Sequence, residues 1–209
     1  CIRDRYYEKA GILVARPAKG SSCTLAVSAK GGNNAENHNH NDIGSYAVAL
    51  GKCTMVGDQG GPFSYPGDYF SAEAPEKYKI KGSFGHPVPV VDGKTQSSGA
   101  KASAIVLKKE FTDVKDLLCI DYTSAYSTPS LDKLVRTFVY DRQGKGSFTV
   151  GDEFTANAPI RFETAITTQA NWKIIDDTHL LLTTGTEQMT VTIEASGKVA
   201  FTSETIEVN

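Results

Sequence analysis

The chain has 209 residues, 24 of them acidic and 22 lysine or arginine, for a formal net charge of -2. With neither a basic stripe nor an acidic block, that balance argues against a nucleic-acid binder and against a charged disordered tail. No apolar run approaches the ~18 residues of a membrane-spanning helix, and a chain this long buries about 70% of its unfolded surface without needing staples.

The four cysteines, Cys1, Cys23, Cys53 and Cys119, are scattered and form no C-x-x-C, so a cysteine zinc site is not expected. Free buried thiols are the plain reading; Cys23 and Cys53 pair only if their strands are neighbours. No signal peptide is visible. The chain begins Cys1-Ile2-Arg3-Asp4, without Met, which suggests a piece of something longer.

Ile12–Arg16, stopped by Pro17, reads as a first strand, and Cys23–Ser28 as a second. A Gly/Asn-rich stretch, Gly31 to Asp42, reads as a loop. Residues 43–50 and Cys53–Val56 form a hairpin about Gly51-Lys52, which Asp58-Gln59-Gly60-Gly61-Pro62 breaks. Residues 63–82 are irregular and aromatic (Phe63, Tyr65, Tyr69, Phe70, Tyr78), with a helical turn expected near Ala72–Lys77. Ser83–Val91 reads as an edge strand, because Pro87 and Pro89 cannot donate to a ladder, and Asp92-Gly93 closes it with a turn. From Lys101 onward, strands are predicted at Ala104–Phe111, Leu117–Tyr122, Leu134–Tyr140, Gly146–Val150, Ile160–Thr167, Trp172–Asp176, Leu180–Thr184, Met189–Ala195 and Val199–Thr202. Even spacing with hairpin turns, no long helix, no internal repeat and no linker together predict an all-β fold. The expectation is one domain over residues 1–209, an antiparallel two-layer β-sandwich.

Asn37-His38-Asn39-His40-Asn41-Asp42 holds two of the four histidines. On an extended backbone residues i and i+2 share a face, roughly 6–7 Å apart. With Asp58 at the end of the following strand and His86 at the start of the edge strand, a His/His/Asp set with an open position suits zinc. A simple turn at Gly51-Lys52 would pair Ser45 with Asp58 and leave His40 at the wrong parity, so a bend or a bulge must intervene. The plain alternative is that these are surface loop residues. A cupin also carries H-x-H on a strand, but its glutamate is missing here and Pro66-Gly67-Asp68-Tyr69 brings no histidine, which disfavours a cupin-like metal oxygenase. Lys77, Lys79 and Lys81 read as a solvated basic strip, and His179 as a turn residue.

His38-x-His40-x-Asp42-x-Gly44-Ser45-Tyr46 resembles the H-x-H-x-D-x-G-x-F/Y segment of the heparinase II/III-like polysaccharide lyases. Ala10–Arg16 is similar to that family's first strand, and Val56-Gly57-Asp58-Gln59-Gly60 to its D-x-G segment. Ser83 to Gln96 resembles its S-x-x-H-N…d-g-x-x-Q segment, with Pro87 in place of the usual Asn. The resemblance implies the C-terminal β-sheet domain of such an enzyme, of supersandwich type. Its N-terminal (α/α) toroid is absent from this chain and expected upstream. It implies zinc held by His40, Asp58 and His86, with His38 facing the substrate and a tyrosine, Tyr69 or else Tyr65, lining the cleft; His38 and Tyr69 are then the catalytic candidates. Asp42 would bond a ligand imidazole or cap the loop. The implied substrate is an acidic, uronate-containing polysaccharide or oligosaccharide cleaved by β-elimination, in the bacterial periplasm or outside the cell. Without the toroid, little or no activity is expected of this chain alone. The alternative from another class is a non-catalytic carbohydrate-binding β-sandwich that uses the aromatic loop and no metal.

Overall fold

The computed structural model describes residues 4–58, 64–71 and 73–206. In chain order the strands are β1 (Asp4–Tyr7), β2 (Ile12–Ala15), β3 (Leu25–Lys30), β4 (Asn33–Asn34), β5 (Tyr46–Leu50), β6 (Cys53–Val56), β7 (Val90–Val91) and β8 (Gly99–Ser103). They continue as β9 (Ile105–Phe111), β10 (Lys115–Asp121), β11 (Leu131–Asp141), β12 (Ser147–Ala156), β13 (Phe162–Glu163), β14 (Asn171–Ile174), β15 (His179–Thr184) and β16 (Glu187–Thr192). One helical turn, Ala74–Lys77, falls in the aromatic region as expected.

Two antiparallel sheets make the body, ordered β1-β2-β3-β5-β6 and β12-β11-β10-β9. Period-2 alternation writes both. Leu25, Val27 and Ala29 of β3 are buried while their neighbours are half-exposed, and Leu118 and Ile120 of β10 alternate in the same way. Leu13, Val27, Val48 and Met55 of the first sheet share one buried cluster with Leu118, Ile120, Leu134 and Phe138 of the second. A three-stranded sheet, β14-β15-β16, adds Leu180 and Leu182 to that cluster. The fold is an all-β antiparallel sandwich, and no helix among the described residues is long and apolar enough to cross a membrane.

Several expected strands are shorter or lie elsewhere. Residues 42–45 are a turn rather than the start of β5: the Ser45 amide donates to the Asp42 carbonyl at 2.9 Å, and Gly44 has a φ of 86°. Ser83–Gly85 is a 3-10 turn, and only Val90–Val91 of the expected edge strand pairs. The turn packs tightly, since a Cβ on Gly85 would lie 2.6 Å from the Ile80 carbonyl oxygen. Of Ile160–Thr167 only Phe162–Glu163 is strand; Thr167 spends its hydroxyl and carbonyl on Gly57 instead of on a ladder. Val199–Thr202 forms no strand, and Gly99–Ser103, not expected, does. The Asp92-Gly93 turn has φ of 50° and 72°, as a primed hairpin turn requires.

The hairpin of β5 and β6 contains the bulge that the site needs. Leu50 pairs Cys53 and Ala49 pairs Thr54, but Val48 pairs Val56, so one residue is inserted in β6. Cys23, Cys53 and Cys119 are free thiols; Cys1, Gln59 to Pro62, Phe63 and Ala72 lie outside the described residues.

Candidate metal centre

Three separate segments converge. His40 lies on the loop ahead of β5, Asp58 two residues beyond β6, and His86 at the end of the Ser83–Gly85 turn. His40 Nδ1 lies 3.1 Å from His86 Nε2, and His86 Nδ1 lies 3.6 Å from Asp58 Oδ2. Ligand atoms from all three fall within 4.8 Å of one another, the one such group of three among the described residues.

The donor set fits zinc. A tetrahedral ion with nitrogen ligands at 2.0–2.1 Å sets its ligand atoms about 3.3 Å apart, close to the His40–His86 gap. His86 is 0% exposed, and its Nδ1 has no hydrogen-bond partner. An ion takes one of the two ring nitrogens, Nε2 facing His40 or Nδ1 facing Asp58, and Nδ1 is the one that no hydrogen bond satisfies. Burial, and then the neighbouring His86, lower the His40 pKa below its usual value, partly offset by Asp58 and Asp42. Its imidazole therefore stays neutral near pH 7, the form that has a lone pair to give.

Buried polar side chains hold the three segments. Ser83 Oγ donates to the Asn41 carbonyl at 2.9 Å and accepts from the Gln96 amide at 3.0 Å. Gln96 Oε1 accepts from the Ile43 amide at 2.9 Å, and Gln96 Nε2 donates to the Ile43 carbonyl. Asn41 Nδ2 donates to the Gln96 carbonyl at 3.1 Å. The serine and glutamine of the 83–96 motif thus stitch the His86 segment to the His40 loop. Gly57, beside Asp58, donates its amide to the Thr167 carbonyl and accepts from the Thr167 hydroxyl. Asp42 pairs with Lys30 rather than with an imidazole.

His38 and His40 do not share a face. His38 has a φ of 59°, a left-handed conformation rare outside glycine, and this breaks the extended geometry between them. His40 turns to His86, whereas His38 stays exposed with its ring edge-on to Phe70 at 4.6 Å. Tyr65, Tyr69 and Phe70 pack with centroids 5.0 to 5.3 Å apart. Tyr65 is 57% exposed, but Tyr69 is 1% exposed, with a hydroxyl that has no partner. Burial raises the Tyr69 pKa, so the phenol keeps its proton. Of the expected lysine strip, only Lys77 and Lys79 are exposed, paired with Asp68 and Glu204. Lys81 is buried: its ammonium lies 5.0 Å from the Tyr69 and Phe70 centroids and donates to the Tyr69 carbonyl. Burial lowers its pKa.

Sequence reasoning missed Arg136 of β11. Its guanidinium is buried and bonds to Gly44 and Pro87, beside two of the converging segments, and to Asp152 of β12. A signal was present: Arg136 occupies the inward parity of Leu134, Phe138 and Tyr140, and a charge at a core position demands a partner.

No family model matches the chain, and no curated protein matches it in sequence. Solved structures do. Heparan sulfate lyase HepC from Pedobacter heparinus matches with a TM-score of 0.66 at 18% identity over 87% of this chain and 27% of the other. Heparinase III matches at 0.61 and 17% identity, over 86% of this chain and 27% of its own. A second heparinase III matches at 0.65 and 14% identity, over 85% and 26%. This chain has the fold of a heparinase-type lyase segment. It spans about a quarter of the length of these heparinase structures, and the expected resemblance of fold holds over most of its own residues.

Proposed function

We propose that the chain is the β part of a polysaccharide lyase that cleaves uronate-containing polysaccharide by β-elimination and holds a zinc site. The observation that carries this is the convergence of His40, Asp58 and His86 in a heparinase-type fold, with the exposed His38 on the same loop. When bound, zinc would fix that loop rather than polarise the substrate. In β-elimination a base removes the uronate C5 proton, the electron pair becomes the C4=C5 double bond, the C4–O bond breaks and an acid protonates the leaving oxygen. His38, exposed on the same loop, suits the base. Tyr69, which keeps its proton, suits the donor, and the exposed Tyr65 and Phe70 rings suit stacking on sugar. Neutralisation of the uronate carboxylate is assigned to the toroid expected upstream. The compartment that fits this substrate is the periplasm or the outside of the cell.

Metal analysis of the purified chain tests the site. Equimolar zinc, lost in His40→Ala and in Asp58→Ala, is the expected result; no metal at any occupancy overturns it. A non-catalytic glycan-binding role draws on the same exposed aromatics, and glycan binding that survives both chelation and His38→Ala would favour it.

A further inference from the structure

The Arg136 guanidinium uses all five of its N–H donors. Nε and Nη2 make a paired contact with the Asp152 carboxylate at 2.8 and 2.6 Å, and Nη2 also donates to Thr164 Oγ1 at 3.2 Å. The two protons of Nη1 go to two different backbone segments, to the Gly44 carbonyl at 2.7 Å and the Pro87 carbonyl at 2.8 Å. Gly44 lies four residues after His40, and Pro87 directly follows His86. A planar guanidinium fork diverges by about 120°, so one nitrogen holds those two oxygens about 5 Å apart. Asp152 is the direct cross-strand partner of Arg136, so strands β11 and β12 fix the orientation of the fork. Tyr122 donates to the same carboxylate at 3.0 Å, and the Tyr46 and Tyr122 rings lie 5.9 and 5.8 Å from the guanidinium carbon.

We infer that Arg136, held by Asp152, is a positioning residue for the metal centre: from the second sheet it sets the spacing of the His40 and His86 segments and thereby the zinc affinity. The inference rests on the zinc reading above. Lysine cannot replace the fork, because it is a point donor without fixed divergence. The fold supplies its own control. Asp116 of β10 and Arg142, the residue after β11, form a second buried ion pair, but Arg142 bonds to the Arg16 and Thr112 carbonyls, which belong to none of the His40, Asp58 and His86 segments.

The test measures zinc affinity by competition with a chromophoric chelator, and apo-protein melting, for the wild-type chain, Arg136→Lys, Asp152→Asn, Thr164→Val and Arg142→Lys. Arg136→Lys is expected to weaken zinc binding about 10- to 100-fold, in the range seen when groups that orient metal ligands are lost. Asp152→Asn should weaken it less, and Thr164→Val least. Arg142→Lys should lower the melting temperature and leave zinc affinity within about twofold of wild type. If Arg136→Lys fails to fold, Asp152→Asn and Thr164→Val carry the comparison. Wild-type zinc binding with unchanged affinity in these variants overturns the inference alone, as does an equal loss in Arg142→Lys; a wild-type chain that binds no zinc overturns the metal reading and this inference with it.

Discussion

Single side chains decide whether the candidate metal centre is ready-made. Ser83 is the clearest. Its hydroxyl is a donor to one segment and an acceptor from another, so Ser83→Ala strands both the Asn41 carbonyl and the Gln96 amide without a partner. A loss of about 1–3 kcal/mol is expected, read as a lower urea midpoint at unchanged slope. His40 makes a pH prediction. Its folded pKa is depressed below 6.5, chiefly by burial, so the unfolded chain takes the proton more readily. Its contribution to the stability of the zinc-free chain is complete above about pH 6.5 and declines as the pH falls below that value, until the folded state also protonates. Urea midpoints in chelator at pH 7.5 and 5.5 should show this decline, and His40→Gln should reduce it. If the decline is as steep in His40→Gln, other groups are its source. His38 carries a conformational demand as well as a chemical one: at its φ of 59° glycine is at ease and alanine is strained. In whatever assay reports His38 function, His38→Gly and His38→Ala should fail alike, whereas the glycine variant, relieved of the left-handed strain that histidine and alanine share, should be the more stable of the two.

At the scale of elements, the site is made of interruptions in regular structure. The bulge in β6, the turn at 42–45 and the 3-10 turn at Ser83–Gly85 are each places where a ladder stops and a side chain is re-aimed. Gly85 shows how little slack the last of these has. A Cβ there would come within 2.6–2.9 Å of Ile80 backbone atoms. Gly85→Ala should therefore displace the turn, with a cost of about 1–3 kcal/mol and weakened zinc binding through its neighbour His86. Native stability with undiminished zinc affinity in that variant would mean the turn is softer than its packing indicates.

For the whole molecule, zinc should couple the two sheets. His40 and Asp58 hang from the first sheet, while Arg136 of the second reaches the segments of His40 and His86. A ligand that binds only the folded chain adds about 2.7 kcal/mol at a concentration of 100 Kd. Excess zinc should raise the melting temperature as a single transition, and a chelator should reverse it. A zinc-dependent shift confined to one of two transitions would contradict coupling across the sandwich. The isolated chain should show no measurable formation of the unsaturated product from a uronate polymer, followed by its absorbance; turnover would mean that this chain holds a complete active site.

The sequence by itself determined the all-β class and most of the strands from Ile12 to Thr192, and its resemblance to the heparinase II/III-like lyases singled out His40, Asp58 and His86, which the structure brings together. Period-2 alternation and short motifs are local properties, legible along the chain. Only the tertiary structure decided how the set closes. The bulge depends on cross-strand register, and the parting of His38 from His40 depends on one backbone angle. The burial of Lys81 beneath Tyr69 and Phe70 depends on a loop that folds back on itself. Above all, the clamp of Arg136 on Gly44 and Pro87 joins residues 92 and 49 positions apart in the chain. Sequence could mark Arg136 as a charge at an inward position, but which carbonyls would answer it was settled by the packing of one sheet on the other.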